Sequence, residues 1–117
     1  MNDEVPTGGI AHFSVAETAG ELSEDAALRS IPLFEHGTLL VKYYAPRGTD
    51  LQTPHTRDEL YVVARGRGMF FDGTSRREFV PGDLLFVAAG TLHRFEDFTD
   101  DFGTWVMFYG PEGGEVV

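Results

Sequence analysis

The chain has 117 residues, enough for one domain with a substantial core and too few for two. Nineteen acidic against nine basic side chains give a formal net charge of −10, which argues against nucleic acid or an anionic membrane surface as a partner, since both favour clustered Lys and Arg. There is no cysteine, which excludes disulfides, thiolate metal sites and cysteine nucleophiles; metal chemistry must run on His and carboxylates, donors that suit Fe, Mn, Ni, Cu or Zn.

Met1-Asn2-Asp3-Glu4 is acidic, without the basic and apolar regions of a secretory signal, and no apolar run approaches a membrane span, so a cytoplasmic protein is expected. Residues 10–15 read as a short strand with His12 exposed. Ser23 before Glu24 and Asp25 reads as the N-cap of one short helix over 23–29, its acids complementing the helix dipole. Beyond Thr38 the pattern becomes strand, turn, strand. Residues 38–45 are β-rich and stop at Pro46-Arg47-Gly48; 60–63 close on Gly66-Arg67-Gly68; 69–71 end at the turn pair Asp72-Gly73. Residues 76–80 run into Pro81-Gly82-Asp83, 84–87 into Ala88-Ala89-Gly90, 92–98 into Thr99-Asp100-Asp101, and 102–109 into Gly110-Pro111. His36 beside Gly37 reads as a loop residue, and Arg65, Arg67, Arg76 and Arg77 as exposed hairpin residues. The fold class is all-β: one small antiparallel barrel domain with a short N-terminal helix.

The stretch Thr53-Pro54-His55-Thr56-Arg57-Asp58-Glu59 precedes the strand at 60–63 and sets a His and a Glu four positions apart. Both residue types ligate first-row metals. In a straight strand their Cα atoms would lie roughly 13 Å apart, so sharing one ion requires a bend at Thr56-Arg57-Asp58. Asp58 reads as a surface carboxylate beside Arg57. A second stretch, 81–97, turns tightly at Gly90 and returns with His93 near the start of the next strand, able to face His55 and Glu59. Tyr43, Tyr61, Phe95, Trp105 and Met107 alternate along strands, so some must face the interior, most as core and some as pocket lining.

Together these stretches resemble the two motifs of the cupin superfamily. Gly48, His55, Glu59 and Gly66 fall on the first motif, and Gly82, Gly90 and His93 on the second. Thr53 stands where the first motif has its first His, Ala88 where the second has Pro, and Asp97 where it has Asn. The resemblance covers most of the chain and implies a cupin-type jelly-roll barrel, with a core over about 36–110 of a single domain spanning 1–117. It further implies a divalent transition metal held by His55, Glu59 and His93, two His and a carboxylate being able to form a facial triad. Gln52, one residue from the vacant place, could serve through its carbonyl oxygen, or Thr53 could hold a metal-bound water. Asp97 is a turn residue or a partner of a ligating His. A homodimer and a small-molecule ligand are implied as well. Two functions follow: a metal-dependent enzyme, dioxygenase- or isomerase-like, on a small organic substrate; or a non-catalytic small-molecule binding or sensor barrel.

Overall fold

Glycine, proline and aspartate punctuate the chain into eight strands: β1 (Ser30–His36), β2 (Leu39–Tyr44), β3 (Asp58–Arg65), β4 (Gly68–Phe71), β5 (Arg76–Phe79), β6 (Leu84–Val87), β7 (Arg94–Glu96) and β8 (Gly103–Tyr109). Among the described residues one helix, α1 (Val15–Gly20), precedes them. The structure is a computed structural model and describes residues 9–22 and 29–116. The strands form two antiparallel sheets, one of five in the order β1-β2-β8-β3-β6 and one of three in the order β5-β4-β7. Among the described residues no helix is long and apolar enough to cross a membrane.

Period-two alternation decides what lies between the sheets. Tyr44 of β2, Tyr61 and Val63 of β3, Val87 of β6, and Val106 and Phe108 of β8 meet Phe70, Phe79 and Phe95 of the small sheet in one buried cluster. Phe79, Phe95 and Phe102 form a ring triangle with centroids 4.8–5.4 Å apart. Each such side chain contributes ~1.5–3 kcal/mol when fully buried, so the phenylalanine-rich composition is spent here. Two glycines are required by close approach. Gly66 has φ +77, and a Cβ on it would stand 2.6 Å from the Phe102 Cα; a Cβ on Gly103 would overlap the Tyr43 hydroxyl.

The opposite parity of the large sheet builds a second layer. Tyr43 packs with Ile31, Leu33 and Ala45, and Val15, Ala19, Leu22 and Trp105 lie against that cluster. The amphipathic helix α1 therefore covers one end of the outer face.

Several sequence expectations change here. Residues 10–14 form no strand; Ser14 instead caps α1, its hydroxyl accepting from the Glu17 N–H at 3.1 Å. The competing signal is local: a hydroxyl before Val15-Ala16-Glu17 satisfies an orphan helix donor better than a strand would. The helix expected over 23–29 falls on residues 23–28, which lie outside the described residues. β1 was not anticipated. His36, read as a loop residue, is exposed but belongs to that strand as its last residue, paired with Leu39 across the Gly37 turn. Pro32 and the register shift beside it disguise β1; a proline is tolerated because β1 is an edge strand. From β2 onward the strands fall where the turn residues put them.

Candidate metal centre

The chain bends at Thr56 and Arg57 before β3 begins. This bend turns His55 back beside Glu59, whose side chain points inward from β3 and is 1% exposed. The tight turn after β6 returns the chain with His93, buried at 3%, on the same side. The turn is pinned to the bend, for the Gly90 N–H donates to the His55 carbonyl at 2.7 Å. His55, Glu59 and His93 thereby come together with donor atoms within 4.8 Å of one another. Separations are 3.0 Å between His93 Nε2 and Glu59 Oε1 and 3.9 Å between His55 Nε2 and Glu59 Oε2.

The protonation states follow from the neighbours. His93 Nδ1 lies 2.9 Å from the Thr91 carbonyl, a pure acceptor, so Nδ1 carries a proton in either charge state and only neutral His93 turns an Nε2 lone pair to the cluster. Burial pushes His93 down, but Glu59 and the Thr91 carbonyl outweigh it, and the imidazole ends above its ordinary value. Burial holds His55 below its ordinary value despite the opposing pull of Glu59. Tyr61 is raised well above an ordinary phenol, by burial first and by the Glu59 charge second, and stays protonated at neutral pH.

The donors fit a first-row ion. His93 Nε2 lies 3.0 Å from Glu59 Oε1, and both Glu59 oxygens are buried without a hydrogen-bond partner among the described residues. A buried carboxylate left so would cost several kcal/mol; a cation between it and two imidazole lone pairs removes that cost. Ligands at about 2.0–2.2 Å from an ion lie about 3 Å apart when adjacent, matching the Glu59–His93 separation.

A polar chain supports the cluster. Asp50, 3% exposed, accepts from the Tyr44 hydroxyl at 2.6 Å, the Gln52 N–H at 3.1 Å, Gln52 Nε2 at 2.9 Å and the Phe95 N–H at 2.9 Å. Because Asp50 takes the Gln52 amide nitrogen, Gln52 Oε1 must face the other way. It stands 3.2 Å from His55 Nε2 and accepts from the Tyr61 hydroxyl at 3.1 Å. That hydroxyl is also 2.9 Å from His93 Nε2. Gln52 thus joins the cluster, whereas Thr53 is exposed.

The other residues divide by strand parity. Tyr61 and Phe95 pack edge to face at 4.9 Å beside His93. Tyr43 and Trp105 pack against each other at 5.0 Å on the outer face of the large sheet, and Met107, two residues along β8, shares that parity. These three lie away from the His55–Glu59–His93 cluster. Asp97 is exposed in a turn with φ 50. Asp58 is buried, not at the surface: its carboxylate accepts from the Ala89 and Glu115 N–H groups, both at 2.9 Å. Asp50 and Lys42 were not foreseen, although Lys42 is the chain's only lysine and sits between Val41 and Tyr43 in an otherwise apolar and aromatic strand.

No protein-family model matches the chain. An uncharacterised protein of Streptomyces coelicolor is 36% identical over 64 residues, spanning 55% of this chain and 61% of that relative. Among solved structures, a Cupin 2 conserved barrel domain protein from Salinispora arenicola superposes with a TM-score of 0.66 at 19% identity, over 86% of this chain and 89% of that one. The DMSP lyase DddQ from Ruegeria pomeroyi superposes with a TM-score of 0.63 at 18% identity, over 85% of this chain and 55% of that one. With its two antiparallel sheets, aromatic core and inward-facing histidines, the chain has the fold of the cupin superfamily.

Proposed function

We propose that this chain is a metal-binding cupin that carries out chemistry on a small organic substrate. His55, Glu59 and His93 would hold a divalent transition metal, with Gln52 Oε1 as a fourth protein donor in place of the absent first-motif His. The observation that carries this reading is the Glu59 carboxylate, buried between two imidazoles with both oxygens lacking a donor. When bound, such an ion would act as a Lewis acid toward a substrate oxygen. The chain's own contribution is to exclude water with the phenylalanine core, to orient His93 through Thr91, and to keep the Tyr61 hydroxyl protonated as a hydrogen-bond donor. The likeness of fold to the DMSP lyase DddQ is compatible with a catalytic barrel. Exposure of Thr53, which leaves the first-motif position without a ligand, supports the other reading, a non-catalytic small-molecule binding or sensor barrel with or without a structural metal. We include a second copy of the chain as partner.

Elemental analysis of protein purified without added metal, then after reconstitution, tests the metal reading. One ion per chain is expected. It should be lost in His55→Ala, Glu59→Gln and His93→Ala and kept in His12→Ala and His36→Ala, whose imidazoles are exposed. Occupancy that stays far below one after reconstitution, or full occupancy in His93→Ala, would overturn the metal reading.

A further inference from the structure

A cavity of about 60 Å³ opens beside the cluster, lined by Lys42, Tyr44, Gln52, His55, Val106 and Phe108 among others. Lys42 lies on the inner parity of β2, directly across from Val106 of β8. Its ammonium stands 5.7 Å from the centroid of the Phe108 ring, and the same ring packs edge to face on His55 at 4.8 Å.

Lys42 is the one lysine of a chain that has 19 acidic residues and a net charge of −10. In such a chain an ammonium group has many possible carboxylate partners. Among the described residues Lys42 has none; the aromatic face of Phe108 is the contact the structure shows. A cation–π contact contributes ~0.5–2 kcal/mol and leaves the positive charge uncompensated. Lys42 is half-buried at the rim of the cavity, and an anion entering the cavity would meet its ammonium in a charge-assisted contact. The volume sets the size. It is several-fold below the ~300–1,000 Å³ of pockets for drug-sized ligands and holds a few waters.

We infer that the cavity is a binding site for a small aliphatic monocarboxylate of a few carbons. Its carboxylate pairs with Lys42, its short chain lies against Val106 and Phe108, and its other end faces His55 and Gln52. The location rests on the metal reading only in that the acid's far end would face the ion; the Lys42 contact does not need it. Selectivity against the neutral amide of the same shape is a direct consequence, since the amide cannot satisfy the ammonium charge.

Propionate, with propionamide as the neutral isostere, tests this by NMR titration of the amide resonances of β2 and β8. The titration is run on the protein both without metal and after Zn²⁺ addition. Propionate should produce saturable shifts at Lys42, Val106 and Phe108; propionamide should not. Lys42→Met keeps the length of the stem and should weaken propionate binding about tenfold or more, the loss expected for one charge-assisted contact. Equal binding of propionate by wild type and Lys42→Met, or equal binding of acid and amide by wild type, overturns the inference. If Zn²⁺ fails to bind while the Lys42-dependent shifts persist without metal, the metal reading falls and the carboxylate site stands.

Discussion

At the scale of single residues, Asp50 organises the site without belonging to the metal cluster. It fixes the orientation of the Gln52 amide through Nε2, and it anchors Tyr44 and the start of β7 through the Phe95 N–H. Burial, and then the hydrogen bond to Asp50, raise the Tyr44 phenol far above its ordinary value, so that hydroxyl remains a donor at all accessible pH. Asp50→Asn replaces one acceptor oxygen by a donor and sets it against an N–H or O–H that must then go unpaired. The variant should lose ~2–4 kcal/mol in denaturant unfolding. It should also bind metal ~10–100-fold more weakly by calorimetry, the range for groups that orient ligands. Loss of stability with unchanged metal affinity would reduce Asp50 to a structural residue. The proximity of His55, Glu59 and His93 was legible through the resemblance of their two stretches to the cupin motifs; their spacing alone left the bend between His55 and Glu59 unexplained. Asp50 was not legible: in Gly48-Thr49-Asp50 it has the composition of a solvated turn, and its burial depends on contacts with residues as distant as Phe95. For Tyr43, Tyr61, Phe95, Trp105 and Met107 the alternation was readable, but which parity faced inward was not. A one-residue change of register moves every side chain of a strand to the other face.

At the scale of elements, one carboxylate clamps three segments. Asp58, the first residue of β3, accepts from the Ala89 N–H in the turn after β6 and from the Glu115 N–H near the C-terminus. These bonds, Glu115 first and Ala89 second, hold its carboxyl below the usual carboxylate range. Because the folded-state pKa is the lower one, the clamp is at full strength above the unfolded pKa of about 3.9 and is lost as pH falls through the folded value. Asp58→Asn should therefore be less stable than wild type at neutral pH, with the difference shrinking as the unfolding transition is followed toward pH 3. A gap that is constant down to pH 3 would show that the ionised form contributes nothing. The turn held by this clamp also delivers His93, so loosening should weaken the cluster as well. The turn chemistry of β2 to β8 was written in Gly, Pro and Asp positions, which act locally. The start of α1 was written locally in the Ser14 cap and β1 was disguised by Pro32, but the packing of both elements with Tyr43 and Trp105 is tertiary, and no local window contains it.

At the scale of the whole molecule, the outer face of the large sheet carries two apolar ladders. Strand register aligns Val41, Met107, Leu60 and Phe86 in one row and Tyr43, Trp105, Val62 and Leu84 in the next. The β1 and α1 end of this face is covered, but at the β6 edge Leu84 and Phe86 remain 65% and 56% exposed. Rows that run unbroken to an exposed strand edge favour association, and a second copy supplies the same apolar rows by two-fold symmetry. The charge of −10 on each copy opposes this, so the proposed dimer must be held by apolar contact and should strengthen with salt as repulsion is screened. Two double variants distinguish contact from charge. Leu84→Glu with Phe86→Glu adds negative charge, and Leu84→Lys with Phe86→Lys removes it, yet both should shift sedimentation from dimer to monomer. If the lysine pair stays dimeric, the interface lies elsewhere and the β6 face is merely an exposed edge; because Leu84 and Phe86 point away from the inter-sheet core, neither variant should alter the metal content of the barrel.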